Sequence, residues 1–338
     1  MVTVSPCHSS AALTYPHRNF KDLTDRLLPE LTRTGKTGAQ TVLHLAKLET
    51  KDGKQQQVAV RVFASRPVNF QEAARKLLEA EFPRWSLVDH PNLAPLLGVI
   101  RGPSNIPLSV VPYYPRGSLW DHLPSNPISE LSRDQIAERL LWTLEIARAI
   151  EYLHSFDPPI IHSDLRCANI FLDEENHVRV AEYAFVMTMP SYVPQHVWAA
   201  QSPGHSPYRW MAPEFLRTKR PPHRLDPPLG YTTASDVWAF GMTVLEIFTA
   251  SSPYEQDITD AQGTHPQAEL GWEVPKLAHE GVLPHLSGFL QENPVMRTVL
   301  RRCWAKDPLN RPSMAEVRRA LERMDETELL SNLSHPAL

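Results

Sequence analysis

One stretch of the sequence, "IIHSDLRCANIFLDEENHVRVAEYAFV", carries several acidic, basic and amide side chains that are candidates for catalysis. Its first half combines a carboxylate, a cation and an amide in Asp164, Arg166 and Asn169, and such a loop could move a phosphoryl group. Phosphoryl transfer depends on positioning and charge neutralisation more than on covalent chemistry, so these are suitable side chains. Its second half places Glu182 where such a loop is normally followed by a metal-binding aspartate. The stretch therefore leaves open whether the chain is an enzyme or only the framework of one.

The hydrophobic patterns around this stretch predict two parts of different character. Residues 31–63 read as short β-strands with a polar turn at "KDGKQQQ", and "LSVVPYY" reads as a buried strand. The segment "RDQIAERLLWTLEIARAIEYLHS" carries apolar residues at helical spacing. "ASDVWAFGMTVLEIFTA" is apolar nearly all round, which is typical of a helix buried inside a larger domain. We therefore predict an α+β fold with two lobes that join near residues 112–117.

The predicted organisation has four segments. Residues 1–25 form a polar, aperiodic and flexible tail, residues 26–112 the β-rich lobe, residues 113–326 the helical lobe, and residues 327–338 a C-terminal tail. Pro83 is expected to end or kink the helical stretch "FQEAARKLLEAEF". Two proline-rich stretches, "PSYVPQHVWAAQSPGHSP" and "KRPPHRLDPPLG", are predicted loops.

Composition argues against several classes of protein. The 338 residues carry a formal net charge of −4, without the basic excess that binds nucleic acid or anionic membranes. No apolar run approaches the roughly 18 to 20 residues that span a bilayer, and the N-terminus lacks a signal-peptide pattern. The three cysteines are isolated, which fits a reducing compartment and gives no disulfide framework or zinc site. We predict a cytoplasmic protein, with the nucleus as the alternative.

Six motifs give the chain a resemblance to one family. It resembles the eukaryotic protein kinase domain, in its tyrosine-kinase-like branch, over about residues 28–326. The resemblance implies a bilobal kinase fold with a small β-rich N-lobe and a larger helical C-lobe. The motifs follow the family's order: "VAVR", "DHPNLAPLLGV", "HSDLRCAN", "RWMAPE", "SDVWAFG" and "CWAKDPLNRPS".

The resemblance also implies structural anchors in the C-lobe. Glu214 should pair with Arg311, and Asp236 in the buried helix should accept hydrogen bonds from the backbone of the catalytic loop. A buried aspartate needs such partners, since a buried charge without them is strongly destabilising. Trp304 is expected to serve in packing.

On the acceptor side, the resemblance gives each residue of the catalytic loop a role. Asp164 would orient the substrate hydroxyl and accept its proton, Asn169 would be the second metal ligand, and Arg166 would lie near the transferred phosphate. The alternative is that Asp164 and Asn169 merely brace the loop. Ser163 replaces the family's arginine, the cation that usually receives an activation-loop phosphate, so control by that route is not expected.

On the nucleotide side, Arg61 stands where the family has a lysine. Arginine keeps the charge but is longer and planar, so it does not simply replace a compact ammonium group against phosphates. Its predicted partner is Glu81 on the following helix, with Glu79 as the alternative. The pair can act as a catalytic pair or as a structural strut, and we favour the strut.

The phosphate-covering loop keeps one of its three glycines. Lys36, Gly38 and Thr41 occupy the glycine positions, and side chains there obstruct the close approach of backbone to phosphate. An ordinary hairpin is therefore as good an interpretation as a nucleotide lid, with Gly38 as the remaining candidate contact.

The remaining candidates concern the metal and the adenine base. Glu182-Tyr183-Ala184 occupies the Asp-Phe-Gly position. Magnesium demands near-ideal octahedral geometry, which a carboxylate displaced by one methylene satisfies poorly. By resemblance, Val111 is the gatekeeper and Tyr113 belongs to the hinge. With Ala59, they would contact a nucleotide that binds without magnesium.

These substitutions lead us to prefer one hypothesis over two others. The preferred hypothesis is a pseudokinase that can bind ATP, with Mg²⁺ bound weakly or not at all, and that acts in signalling as a binding or scaffold module for protein partners. The first alternative is an active or weakly active ATP-dependent protein kinase, with Ser/Thr favoured over Tyr. The second is a kinase fold turned to another nucleotide-dependent transfer.

Overall fold

A computed structural model of the chain divides at Pro115/Arg116 into two compact units. The sequence placed the junction near residues 112–117. The described residues are 21–28, 32–37, 41–63, 82–102, 107–124, 130–181, 183, 207–215, 231–255, 257, 274, 277, 278 and 280–333.

The first unit is built on a five-stranded antiparallel sheet in the order β1-β2-β3-β5-β4. The turn after β2 contains Gly53 at φ 76°, a left-handed conformation that glycine adopts without strain. The predicted polar turn is shorter than "KDGKQQQ", because its three glutamines already belong to β3. The strands are β1 (Thr32–Thr37), β2 (Thr41–Glu49), β3 (Gln55–Phe63), β4 (Gly98–Arg101) and β5 (Pro107–Pro112).

The alternation of side chains along β3 gives the sheet two different faces. Val58 and Val60 are fully buried in an apolar cluster with residues from β2, β4 and β5. Ala59 and Arg61 alternate with them and therefore lie on the opposite face. Val111 pairs with Ala59 across β3 and β5, so it shares this second face. The predicted buried strand "LSVVPYY" is present as β5, although the strand ends at Pro112.

The predicted flexible tail of residues 1–25 extends too far into the chain. Leu23 is 2% exposed and belongs to the apolar cluster of the sheet. Residues 24–26 form a turn of 3₁₀ helix next to it. Because burial of an apolar side chain and main-chain hydrogen bonds hold this segment, the folded part begins no later than Lys21.

Pro83 does not end its helix at the preceding residue. Residues 82–85 are helical, and Phe82 and Trp85 pack edge to face with ring centroids 5.2 Å apart. The rest of the predicted helix "FQEAARKLLEAEF" lies outside the described residues.

The second unit is helical apart from a two-stranded hairpin, β6 (Ile170–Leu172) and β7 (Val178–Val180), which directly follows the catalytic loop. Capping boxes at Ser132 and Thr232 begin two of the three long helices in the described residues. The helices are α1 (Leu119–His122), α2 (Arg133–His154), α3 (Thr233–Thr249), α4 (Gly288–Glu292), α5 (Pro294–Cys303) and α6 (Met314–Leu333).

Helix α3 is buried on all sides, as predicted. Fourteen of its 17 residues are buried, which only a helix in the middle of a domain can achieve. Trp304 packs directly on Gly241, where a Cβ atom would lie 2.5 Å from the indole nitrogen. The expected packing role of Trp304 is therefore confirmed.

The predicted anchor between Glu214 and Arg311 is present. The two guanidinium nitrogens of Arg311 donate to the two carboxylate oxygens of Glu214 at 2.8 and 2.7 Å. The same guanidinium lies 5.1 Å from the ring centroid of Trp238. A bidentate pair next to an aromatic face is a strong and geometrically specific tie. It fixes the "APE" turn to α3 and to the segment before α6.

Among the described residues, no helix has both the length and the apolar character that crossing a membrane requires.

Candidate functional site

The carboxylate of Asp236 holds the catalytic loop in place. It is 1% exposed, and it accepts hydrogen bonds from the backbone N–H groups of His162 (2.7 Å) and Ser163 (2.9 Å). Nε2 of His154 lies 2.9 Å from it. The role that the resemblance implied for Asp236 is therefore confirmed.

These contacts also support an unusual backbone conformation. Ser163 has φ 68°, in the left-handed region that residues other than glycine rarely adopt. Such a conformation costs on the order of 1–3 kcal/mol and persists where surrounding contacts over-determine it. Asp236 supplies contacts of this kind to the two successive N–H groups of His162 and Ser163, and these contacts hold the loop in shape with serine at position 163.

Asp164, Arg166 and Asn169 come together in the second unit. The Asn169 amide nitrogen donates to the backbone oxygen of Asp164 at 2.7 Å and to its carboxylate at 2.8 Å. Nε of Arg166 lies 3.4 Å from the same carboxylate. Asn169 therefore braces the loop, which is the role that our alternative interpretation gave it. The arrangement also keeps a carboxylate and a guanidinium together, as phosphoryl transfer to a hydroxyl requires.

His162 supports the catalytic loop through a contact with the backbone of Asp164. It is completely buried, and burial lowers the pKa of its imidazole, which is therefore neutral at physiological pH. Its Nδ1 accepts a hydrogen bond from the backbone N–H of Asp164 at 3.2 Å, which places the proton on Nε2. The histidine is a structural support with no acid–base role.

Glu246 is a residue of the site that sequence reasoning missed. Its carboxylate is 2% exposed and accepts hydrogen bonds from the backbone N–H of Cys167 (2.9 Å) and from Nε1 of Trp210 (3.1 Å). The charge of Arg166 also acts on this carboxylate and favours its ionised form. Burial raises the pKa of Glu246 to about 7. A glutamate inside the apolar run "VLEIF" was the available signal, because a buried acid needs dedicated partners.

Trp210 and Arg166 connect the loop to the "RWMAPE" segment. The Arg166 guanidinium lies 5.7 Å from the centroid of the Trp210 ring. An open pocket next to Asp164 contains about 400 Å³ of empty space, including its mouth. Its walls are mainly apolar and include Leu165, Trp210, Met211, Phe215, Tyr231 and Ala239.

On the nucleotide side, the structure places three of the predicted residues on one face of the sheet in the first unit. Ala59 and Arg61 lie on β3, and Val111 faces Ala59 on β5. Arg61 is 7% exposed, so its cation has a largely desolvated environment. Tyr113 follows β5 and is half-buried. The face of the sheet that carries Ala59 and Val111 therefore also carries the Arg61 cation.

Several predicted residues fall outside the described part of the chain. These are Gly38 of the phosphate loop, Glu81 and Glu79 of the following helix, and Glu182 and Ala184 on either side of Tyr183. The backbone of Lys36 belongs to β1, and Thr41 begins β2. Tyr183 itself is described and is 6% exposed.

The described residues offer little to a divalent metal. No three His, Cys, Asp or Glu side chains among them come together as ligands. Asn169 supplies one amide oxygen, and its amide nitrogen is already committed to Asp164. A hard cation is normally held by carboxylate oxygens. The other candidate ligand, Glu182, lies outside the described residues.

Comparisons with known proteins point to a single family. The sequence model of the family "Protein tyrosine and serine/threonine kinase" matches residues 31–321. The chain is 28% identical over 291 residues to the Arabidopsis thaliana serine/threonine/tyrosine-protein kinase HT1, which covers 84% of the chain and 65% of the relative. It is 31% identical over 249 residues to the Dictyostelium discoideum probable serine/threonine-protein kinase drkC, covering 73% of the chain and 29% of the relative. It is 29% identical over 263 residues to the Caenorhabditis elegans integrin-linked protein kinase homolog pat-4, covering 77% and 49%. The matched region thus spans less than two thirds of each of these relatives.

Proposed function

Because the chain belongs to the family of protein tyrosine and serine/threonine kinases, we propose that it is a pseudokinase. In this proposal it acts in signalling by binding other proteins, and its transfer of phosphate from Mg-ATP is impaired. The observation that carries the proposal is the division of the substitutions between the two sides of the reaction. Asp164 and Asn169 are kept on the acceptor side. Lys36, Thr41, Arg61 and Glu182 are changed, at positions that would face the nucleotide phosphates and their metal.

The acceptor side has the geometry that the family fold needs. Asp236 fixes the loop, and Asp164 and Asn169 are held together at hydrogen-bond distance. Glu214 and Arg311 tie the adjoining segment to the helices. These contacts maintain the surface of the second unit that would meet another protein, and they need neither nucleotide nor metal.

The residues that would face the nucleotide phosphates support the proposal that phosphate transfer is impaired. Arg61 replaces the lysine, Glu182 replaces the metal-binding aspartate, and Lys36 and Thr41 replace two glycines of the phosphate loop. Removing one preorganised electrostatic contact typically lowers the catalytic rate by about 10²–10³-fold. The loss of two such contacts together would leave little turnover.

The residues that would face the adenine base support the proposal that nucleotide binds without magnesium. Ala59 and Val111 face each other across β3 and β5 and so lie on the same face of the sheet, and valine is a small side chain for a gatekeeper. Binding of the base needs apolar contact and backbone hydrogen bonds, neither of which depends on the metal. We therefore expect ATP to bind with similar affinity in the presence and absence of Mg²⁺.

An active Ser/Thr kinase is the second candidate, and one observation favours it. The carboxylate of Asp164, the amide of Asn169 and the guanidinium of Arg166 lie together as an active site would need them. Relatives such as drkC are named as probable serine/threonine kinases. On this alternative, Arg61 and Glu182 act as imperfect substitutes for lysine and aspartate.

A thermal-shift titration with ATP separates the two candidates. For the pseudokinase, we expect ATP to raise the melting temperature to the same extent with EDTA, Mg²⁺ or Mn²⁺. The matched control is Asn169→Ala, which removes the candidate metal ligand and should leave any ATP-induced shift unchanged. A shift that requires Mg²⁺ and disappears in Asn169→Ala would show a working metal site and would support the active kinase.

A further inference from the structure

Residues Lys21–Leu28 cross the sheet of the first unit from its β4 edge to β2. The backbone N–H of Leu23 donates to Val99 O at 2.8 Å, and the N–H of Val99 donates to Lys21 O at 2.9 Å. Further on, the N–H of Leu28 donates to Lys47 O at 2.9 Å. We call residues 21–28 the strap. It covers the outer edge of β4, whose backbone groups would otherwise be unpaired on that side.

Leu23 anchors the strap in the core. Its side chain is 2% exposed in the cluster that contains Val58 and Val60 of β3. The strap passes so close to β4 that a Cβ atom on Gly98 would lie 2.5 Å from Lys21 O and 2.7 Å from Leu23 Cδ1. Glycine at position 98 is therefore what allows the strap to dock.

The rest of the strap is held by polar contacts near the surface. Thr24 Oγ1 accepts a hydrogen bond from the backbone N–H of Arg101 at 3.0 Å, and the Arg26 side chain donates to Glu49 O. Of the strap residues, only Leu23 is buried; the others are half-buried or exposed. A segment with one buried anchor and solvent-accessible hydrogen bonds can open locally without unfolding of the whole unit.

The anchor lies directly behind the candidate nucleotide face. Val58 and Val60 pack in the same cluster as Leu23, and Ala59 and Arg61 alternate with them along β3 on the opposite face. Close-packed cores transmit displacements, so a change behind the strand moves the residues in front of it. The family match begins at residue 31, so the strap lies outside it and nothing in the match gives the strap a role.

We propose that residues 21–28 are a positioning strap: when docked, they hold β3 in the conformation that binds nucleotide, and their release loosens that face. Binding or modification of the chain before Lys21 could then release the strap. That release would change the nucleotide face of the first unit. The predicted effect of the strap on nucleotide affinity rests on the proposed function, whereas its predicted effect on hydrogen exchange in β3 does not. By linkage, nucleotide binding and strap docking favour each other.

The test compares Leu23→Ala with Leu87→Ala in the full chain. Leu87 belongs to the same unit and is 62% exposed, so its replacement controls for the loss of a leucine. Hydrogen exchange should become faster at Val99 and along β3 in Leu23→Ala and stay unchanged in Leu87→Ala. The dissociation constant of a fluorescent ATP analogue, measured without metal, should rise about fivefold or more in Leu23→Ala alone.

The possible outcomes separate failure of the strap from failure of the proposed function. Faster exchange at Val99 with unchanged β3 exchange and unchanged affinity would overturn the inference, because the strap would then be only a cover. If the wild-type chain binds no nucleotide, nucleotide binding is lost from the proposed function, and β3 exchange alone decides about the strap. Should Leu23→Ala fold poorly, Thr24→Val removes the acceptor for Arg101 and should give the same changes at smaller amplitude. Unchanged exchange in a folded Thr24→Val would then count against the strap.

Discussion

At the scale of single residues, two buried carboxylates on α3 organise the catalytic loop in different ways. Asp236 accepts hydrogen bonds from two backbone N–H groups and a histidine, whereas Glu246 accepts from one backbone N–H group and one indole. Asp236 therefore has three partners to stabilise its charge. Around Glu246, burial outweighs its hydrogen bonds and the charge of Arg166, and it raises the pKa of this carboxyl.

The raised pKa of Glu246 predicts a defined pH dependence of stability. As pH rises from the ordinary glutamate pKa of 4.5 to about 7, the unfolded chain loses its proton first. This group's contribution to stability is thus fully present below pH 4.5 and is lost as pH rises through about 7. The loss is on the order of 3 kcal/mol, from about 1.4 kcal/mol per pH unit.

Glu246→Gln isolates this contribution from those of other titrating groups. Glutamine has no ionisable proton, so the variant should gain stability relative to the wild type steadily between pH 4.5 and 7 and stay level above pH 7. Denaturant unfolding of both proteins across this range measures the difference. Parallel stability curves for the two proteins would show that Glu246 titrates normally in the folded chain.

At the scale of elements, α3 is the central helix of the second unit, because other parts of this unit pack against it on every side. Its contact with Trp304 depends on Gly241, whose missing side chain leaves room for the indole. The "SDVWAFG" and "CWAKDPLNRPS" motifs are far apart in the sequence, and this contact is one physical reason why both are needed. It belongs to the fold and has no direct part in phosphate chemistry.

Gly241→Ala should therefore destabilise the second unit. A Cβ atom 2.5 Å from Trp304 Nε1 cannot be accommodated without displacing the indole, and overpacking of this kind typically costs about 1–3 kcal/mol. Thermal unfolding should show a lower melting temperature. In a Trp304→Ala background, the same substitution should cost much less, because the clash is gone. An equal cost in both backgrounds would place its origin elsewhere in α3.

The sequence predicted the elements better than their limits. The long helices α2 and α3 were predicted because their apolar periodicity and buried length are unambiguous. The strap was missed, because "KDLTDRLL" is polar and aperiodic and Leu23 is buried by contacts with residues far along the chain. Asp164, Arg166 and Asn169 were identified from their motif. Glu246 and Trp210 were missed because their roles depend on a meeting between α3 and a segment 36 residues away in sequence.

At the scale of the whole molecule, the chain combines a well-supported framework with a changed nucleotide side. The contacts of Asp236, Glu214 and Arg311 maintain the helical unit. The first unit keeps its sheet, with Arg61 in the place of lysine and Leu23 packed behind that strand. On our proposal, the two units serve for binding while the transfer of phosphate is impaired.

The most direct test of this account is a phosphotransfer assay with radiolabelled ATP, comparing the wild-type chain with Asp164→Asn. Asparagine keeps the size of the side chain and removes the carboxylate that would accept the hydroxyl proton. If the chain is a pseudokinase, autophosphorylation and transfer to generic protein substrates should be at the same background level in both proteins, with Mg²⁺ or Mn²⁺. Transfer by the wild type that Asp164→Asn abolishes would contradict the account and establish an active kinase.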